Sequence, residues 1–336
     1  METRIESLIK GQIKQSGPIN IGTFMQTANA HYYATRDPLG MDGDFTTAPE
    51  ISQLFGEMIG LCIADTWMRS GSPKCTLVEL GPGRGTLMAD LLRATKNVPG
   101  FHHSINIHLV ETSPALRDKQ KKNIHANIVW HDDVSSLPND QPLLIIANEF
   151  FDALPIRQAV MTPQGWQERV IGLNDNRLIF GTTAMPPALA PSGPAELGTI
   201  VEFSPARDDV FSTLKGRLNT QDGMMLIIDY GHDTTHPQGD TLQAVYRHAP
   251  CDVLGHIGEA DLTSHVDFGR MGGGSMTQGH FLKMMGIETR LTQLEQKNPD
   301  ADLRTGVERL IASDQMGTLF RVLGINGRTF SCLPAL

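Results

Sequence analysis

The sequence predicts an α/β protein built on a doubly wound, mostly parallel sheet, with an N-terminal helical cap and inserted β-hairpins and loops. Three observations predict it. Short apolar runs at 76–80, 105–110, 127–130 and 142–147 have the length and branching of strands buried on both faces. Stretches with helical spacing of apolar residues lie between them, the rhythm of βαβ units. Each run ends in polar or acidic residues, and in open α/β sheets ligands bind beyond the carboxyl ends of the strands.

Ile5, Leu8, Ile9 and Ile13 share one helical face, and Ser16-Gly17-Pro18 stops that helix. A second short helix begins near Asn20 with Phe24, Met25 and Ala28 inward. The following stretch, 32–47, is rich in turn formers and crowded with aromatic and acidic groups, the composition of a loop that covers a ligand. Thr47-Ala48-Pro49-Glu50 reads as a capping box, which makes Glu50 a cap rather than a catalyst. From there Ile51, Leu54, Phe55, Met58, Ile59, Cys62, Ile63 and Trp67 keep one apolar face until Gly71. Residues 1–71 are thus expected to form the helical cap with its covering loop, and 72–155 the ligand-binding core. Residues 156–203 carry hairpin signals such as Asn174-Asp175-Asn176 and read as inserted antiparallel hairpins. Residues 204–240 resume the core with a helix at about 205–218 and a strand at 224–228, followed by Asp229-Tyr230-Gly231-His232. The stretch 241–275 is loop-rich, reads as an irregular insertion, and includes the flexible joint Gly272-Gly273-Gly274. Helices at 278–285 and 303–313 and closing strands at 319–322 and 329–332 complete 276–336.

Composition narrows the function. A chain of 336 residues, 40% hydrophobic and 19% charged, has the make-up of an ordinary globular protein of one large or two small domains. Its net charge of -9 argues against nucleic acid, whose phosphates need an excess of Lys and Arg, and it permits a cationic substrate. Cys62, Cys75, Cys251 and Cys332 are scattered without a C-x-x-C pair, so neither a disulfide framework nor a zinc site is expected, and a reducing cytoplasm is the expected location. Apolar runs stay well short of the roughly 20 residues of a membrane span. The N-terminus alternates acids with bases and reads as neither secretory signal nor transit peptide. His232, His236, His248, His256 and His265 lie among Pro and Gly without ligand spacing, so no metal is expected.

The most informative stretch is Glu79-Leu80-Gly81-Pro82-Gly83-Arg84-Gly85-Thr86, a strand-to-helix turn. Gly81, Gly83 and Gly85 free the backbone for positive φ and for close approach of a ligand. The spacing is G-x-G-x-G, whereas a dinucleotide turn is G-x-G-x-x-G and a P-loop needs G-K-[ST]. Glu79 would repel a pyrophosphate but can accept from an ammonium, a combination suited to S-adenosyl-L-methionine, which carries an amino-acid end and no phosphate. Glu111, past the second strand, is placed to take ribose hydroxyls. Asp132 or Asp133, past the third, can accept from an adenine amino group, and Asn148 with Glu149 follows the fourth.

Over nearly its whole length the chain resembles the MidA-like family of S-adenosylmethionine-dependent methyltransferases. The resemblance rests on Asp37-Pro38-Leu39-Gly40 with 43–52, on 79–86, on Asn148-Glu149-Phe150-Phe151-Asp152-Ala153-Leu154-Pro155, on Ile228-Asp229-Tyr230-Gly231, and on 261–268. It implies a Rossmann-like class I methyltransferase fold, with S-adenosylmethionine held by Glu79, Gly81, Gly83, Gly85, Thr86, Glu111, Asp132 and Asn148. It also implies symmetric dimethylation of an arginine in a protein substrate, which for the family's characterised members is a respiratory complex I subunit; separately, the sequence is compatible with an oligomer. His31 stands where the family has glycine, and 269–277 is shorter than the family pattern. Guanidinium keeps its charge in water, so transfer to it calls for carboxylates that orient it bidentately. Glu149 is the expected acceptor of that charge, Asp152 a second carboxylate, and Asp44 a third from the covering loop. Two other classes use the same sheet: an NAD(P)-dependent oxidoreductase, which the glycine spacing disfavours, and a non-catalytic assembly factor that binds a protein partner.

Overall fold

The computed structural model describes residues 3–35, 46–193, 195–233, 239–272, 274–297 and 302–334. They group into two compact units, one of Thr46–Phe151, Val210–Asp233 and Phe268–Leu336, the other of Met1–Phe45, Asp152–Asp209 and Thr234–Asp267.

The first unit is built on β1 (Cys75–Leu80), β2 (Ile105–Val110), β3 (Ile128–His131), β4 (Leu143–Asn148), β5 (Gly223–His232), β6 (Met276–Thr277) and β7 (Phe320–Asn326). Their spatial order is β6-β7-β5-β4-β1-β2-β3. The run from β5 through β3 is parallel. β7 enters antiparallel to both β5 and β6, which makes the sheet mixed. Every residue of β1 and β4 is buried, which is why these strands read as unbroken apolar runs. The short 269–277 stretch therefore still supplies β6 to the closing edge. The chain leaves β1 for β2 on one side and returns to β4 on the other, so the strand order reverses between β1 and β4, the place where such sheets bind ligands.

Helices α1 (Gln53–Arg69), α2 (Thr86–Thr95) and α3 (Pro114–Asn123) belong to this unit. The buried carboxylate of Glu57 on α1 accepts from Arg93 of α2 and from Arg290, each at 2.7 Å. Arg290 lies on Ile287–Lys297, a helix that was not expected because Ile287 and Leu291 alone are fully buried along it. The expected long helix from Pro49 is in two pieces, Ala48–Ile51 and α1, because Ser52 is extended and its Oγ caps α1 by accepting from the Leu54 N–H. The expected strand at 329–332 is absent from the described residues, while β5 runs on through Asp229–His232.

In the other unit Gly165–Asn174 pairs antiparallel with Ile19–Asn20, Arg157–Thr162 and Arg177–Ala184, and Arg157–Thr162 also pairs with Ile200–Phe203. The hairpin expected at Asn174 closes with Asn174 opposite Arg177 and with Asp175 and Asn176 at positive φ, the two-residue turn that matches strand twist. The stretch expected to be irregular contains a small sheet, with Gln243–Tyr246 between Ala249–Cys251 and Asp261–Thr263. Strands of three or four residues, one carrying Pro250, are too short for alternation to declare itself. Tyr32 and Tyr33 close the helix Ile21–Thr35 rather than open a loop, and Tyr32 is buried. The rest of the expected covering loop through Phe45, Asp44 included, and the middle of the Gly272-Gly273-Gly274 joint lie outside the described residues.

Candidate functional site

Strand register brings the expected ligand residues of the first unit to one edge. Leu80 pairs with Ala147 and with Val110, and Val110 pairs with His131. The residues that follow, Gly81, Asn148, Glu111 and Asp132, therefore leave four neighbouring strands at the same level, spaced by the roughly 5 Å between strands.

The turn from β1 into α2 is held by backbone and side chains together. Gly81, Gly83 and Gly85 all have positive φ. A Cβ on Gly81 would come within 3.0 Å of the Phe150 ring, and one on Gly85 within 2.8 Å of Ile124. The left-handed backbone of Gly85 alone makes a side chain cost about 1–2 kcal/mol there. Gly85→Ala is accordingly expected to lower unfolding stability by at least about 1 kcal/mol, read as a lower urea midpoint at unchanged slope. The Gly83 carbonyl accepts from Gln120 Nε2 at 2.8 Å. The same amide nitrogen lies 3.3 Å from Glu111 Oε2, and Gln120 Oε1 accepts from Trp130 Nε1 at 2.7 Å. Gln120 thus ties the glycine turn to the two neighbouring strand ends, a role that its place on an amphipathic helix did not announce.

Glu50 is the largest departure at this edge. Thr47 makes no side-chain cap; Glu50 Oε1 instead accepts from Thr86 Oγ1, and its Oε2 lies 3.7 Å from Arg84. The cap of the short helix comes from Glu149, whose Oε1 accepts from the Ala48 N–H at 3.0 Å and from Asn148 Nδ2 at 3.2 Å. A glutamate brought from elsewhere in the fold outcompetes the local one, which moves to the glycine turn. Glu149 stands at φ 50°, a left-handed conformation uncommon outside glycine and concentrated at functional sites. Asp229, fully buried, accepts from the Phe151 and Tyr230 N–H groups and fixes the chain past Glu149.

The remaining acids differ in environment. Glu79 is buried, its Oε2 has no hydrogen-bond partner, and burial pushes its carboxyl up to about 8. Asn148 Oδ1 is likewise buried and unpartnered. Glu111 Oε1 accepts from the Ser113 N–H at 2.8 Å, and burial raises its carboxyl above the usual range against the pull of its hydrogen bonds. Asp133 caps the turn at 134–136 by accepting from the Ser135 N–H at 2.7 Å. Asp132 is exposed and pairs at 2.6 Å with Arg117, whose Nε donates to the Glu111 carbonyl at 2.7 Å. Of the two aspartates, Asp132 is the one not engaged in capping.

Asp152 belongs to the other unit. There Arg207 donates to the Asp152, Ser264 and His265 carbonyls, and Tyr33 Oη donates to Asp261 Oδ1 at 2.7 Å. Burial first, then the charges of Asp261 and Asp152, hold the Tyr33 phenol well above its ordinary range.

The first unit's edge fits S-adenosylmethionine on these observations. Two buried oxygens lacking partners, Glu79 Oε2 and Asn148 Oδ1, await donors. Gly81 and Gly85 hold the turn at positive φ against Phe150 and Ile124, and the buried acids at 79 and 111 offer a phosphate no cation. A mixed α/β sheet with such an edge defines a nucleoside-binding enzyme of the methyl-transfer class. Comparison with known proteins agrees. Residues 58–277 match the family model described as "Putative S-adenosyl-L-methionine-dependent methyltransferase", and the chain belongs to that family. It is 35% identical over 362 residues to protein arginine methyltransferase NDUFAF7, mitochondrial, of Xenopus tropicalis, covering 94% of this chain and 84% of that one. The human protein of the same name is 34% identical, covering 94% and 81%. A crystal structure of a Burkholderia thailandensis superfamily member bound to S-adenosyl-homocysteine superposes with a TM-score of 0.83 at 25% identity, covering 98% of this chain and 94% of that one.

The chain is therefore an S-adenosylmethionine-dependent methyltransferase, as its resemblance to the MidA-like family implied. The expectation of a cytoplasmic location, that of a bacterial protein of this family, is overturned, because the curated relatives are named as mitochondrial. Scattered thiols speak to a reducing environment, and more than one compartment supplies that.

Proposed function

We propose that the chain is a protein arginine N-methyltransferase. The observation that carries this reading is the name borne by relatives that align along almost the whole chain, joined to an acidic, phosphate-averse edge on the sheet. Symmetric dimethylation of a respiratory complex I subunit is the specific form that the family resemblance favours. The mixed sheet is read as the Rossmann-like, doubly wound core of a class I methyltransferase; its strand order and the reversal between β1 and β4 support this.

When bound, S-adenosylmethionine supplies an electrophilic methyl on a sulfonium. The residues act by holding and orienting. Glu79 accepts from the ammonium of its amino-acid end, with the Asn148 amide oxygen beside it. Gly81, Gly83 and Gly85 let the main chain approach, Thr86 opens α2, Glu111 takes the ribose hydroxyls, and Asp132 meets the adenine amino group. Glu149 receives the guanidinium, its carboxylate already oriented by Ala48 and Asn148. Asp152 and Asp44 are kept as candidate carboxylates for a guanidinium on the sequence pattern alone. Positioning of this kind supplies much of the rate of an in-line displacement.

Incubating the purified chain with labelled methyl donor and mitochondrial extract, then mapping the label by mass spectrometry, tests the reading. Label on an arginine of a complex I subunit is expected. Label confined to lysine, to a small molecule or to nucleic acid would overturn the arginine assignment, and cofactor binding with no turnover on any protein would favour the assembly-factor alternative.

A further inference from the structure

A second cleft lies in the first unit, at the end of the sheet away from the glycine turn. It is a cavity of about 820 Å³ between α2, the end of α3 and the starts of β2 and β3. Its lining begins at Ile105 and Asn106, whereas Glu111 follows the opposite end of the same strand. Lys96, just past the C-terminus of α2, is separated from Thr86 by ten residues, roughly 15 Å of helix.

The lining has two chemistries. Ala89, Leu92, Ile105 and Ile107 supply an apolar floor. Lys96 and His125 are exposed at the rim, whereas His102 Nε2 is engaged with Thr95 Oγ1 at 3.0 Å. The one acid of the lining, Asp90, is held in an ion pair at 2.6 Å by Arg93, which is also part of the lining and also binds Glu57. With Asp90 set against Arg93, the lining keeps an excess of one cation, Lys96, beside an apolar floor on a chain of net charge -9. A cationic cleft bounded by low-dielectric walls raises the local concentration of anions, and an apolar floor adds area for a hydrocarbon or ring.

We infer that this cleft is a second binding site, taking a small amphipathic anion: an apolar body of several carbons that ends in a carboxylate or phosphate. The apolar body lies over Leu92 and Ile105, and the anionic end meets Lys96 with His125. Asn123, also in the lining, donates to the Arg84 carbonyl at 2.9 Å, so an occupant would touch a residue bonded to the glycine turn.

Calorimetry of the full-length chain at pH 7 with octanoate and, separately, with hexyl phosphate tests the inference. One saturable site is expected for at least one probe, and which probe binds tells carboxylate from phosphate. Lys96→Glu is expected to weaken it at least tenfold, as is Ala89→Phe, which fills the floor, while both variants keep wild-type affinity for S-adenosyl-homocysteine as proof of folding. The ring protons of His125 should shift on saturation. Absence of saturable binding by both probes overturns the site, and so does binding that neither substitution weakens in variants that still bind S-adenosyl-homocysteine. These outcomes do not depend on the methylated substrate.

Discussion

Replacing Glu79 by glutamine is expected to weaken S-adenosyl-homocysteine binding about 100-fold at pH 8, close to 2.7 kcal/mol at 1.36 kcal/mol per decade. The loss is that of a charge-assisted hydrogen bond at a buried carboxylate. The same substitution is expected to stabilise the unliganded protein at alkaline pH. Glu79 titrates near 8 in the fold against 4.5 ordinarily, so the folded state keeps a proton that the unfolded chain releases. Wild-type stability therefore falls by about 1.4 kcal/mol per pH unit from this group between pH 4.5 and 8, and levels off above. Glutamine has no such titration. Urea melts of both proteins at pH 5 and pH 8 check this: the variant should gain on the wild type as pH rises. Equal pH dependence would mean that the carboxylate finds a partner in the fold.

Glu149→Gln is expected to lower kcat at least 100-fold while leaving the affinity for S-adenosyl-homocysteine within about twofold, a loss of roughly 3 kcal/mol in the transition state alone. Glutamine keeps a side-chain oxygen that can accept from the Ala48 N–H, so the cap at 3.0 Å survives and only the charge is removed. The guanidinium, charged at any working pH, then lacks the carboxylate that orients it. Single-turnover rates with an unmethylated protein substrate separate the two roles of Glu149. A wild-type rate with normal cofactor binding would reduce it to a structural cap and move the acceptor elsewhere.

Much of the ligand edge was legible because it sits at strand ends. Apolar runs of fixed length announce β1, β2 and β4, and a parallel register then sets Gly81, Glu111, Asp132 and Asn148 side by side. The glycine spacing carried the cofactor class for a physical reason: each glycine stands at positive φ, and the buried acids beside them offer a phosphate no cation. What escaped the sequence were contacts between residues far apart along the chain. Glu50 matched a local capping pattern, but Glu149, 101 residues away from Ala48, took the cap. Gln120 looked like one more helix residue until its amide was seen between Gly83, Glu111 and Trp130. The small sheet at 243–263 has strands too short for periodicity to register. Compartment was misjudged because thiol spacing reports redox conditions and carries no address.

The proposed cofactor site depends most on Glu79, a buried carboxyl expected to ionise when it receives an ammonium. Proton release on cofactor binding measures this directly, by titrating S-adenosyl-homocysteine into the full-length chain at pH 7 in buffers of different ionisation enthalpy. With the carboxyl near 8, about 0.9 proton should leave per ligand bound, and Glu79→Gln should abolish the release. Tight binding with no net proton release, unchanged in the glutamine variant, would contradict the placement of the amino-acid end against Glu79.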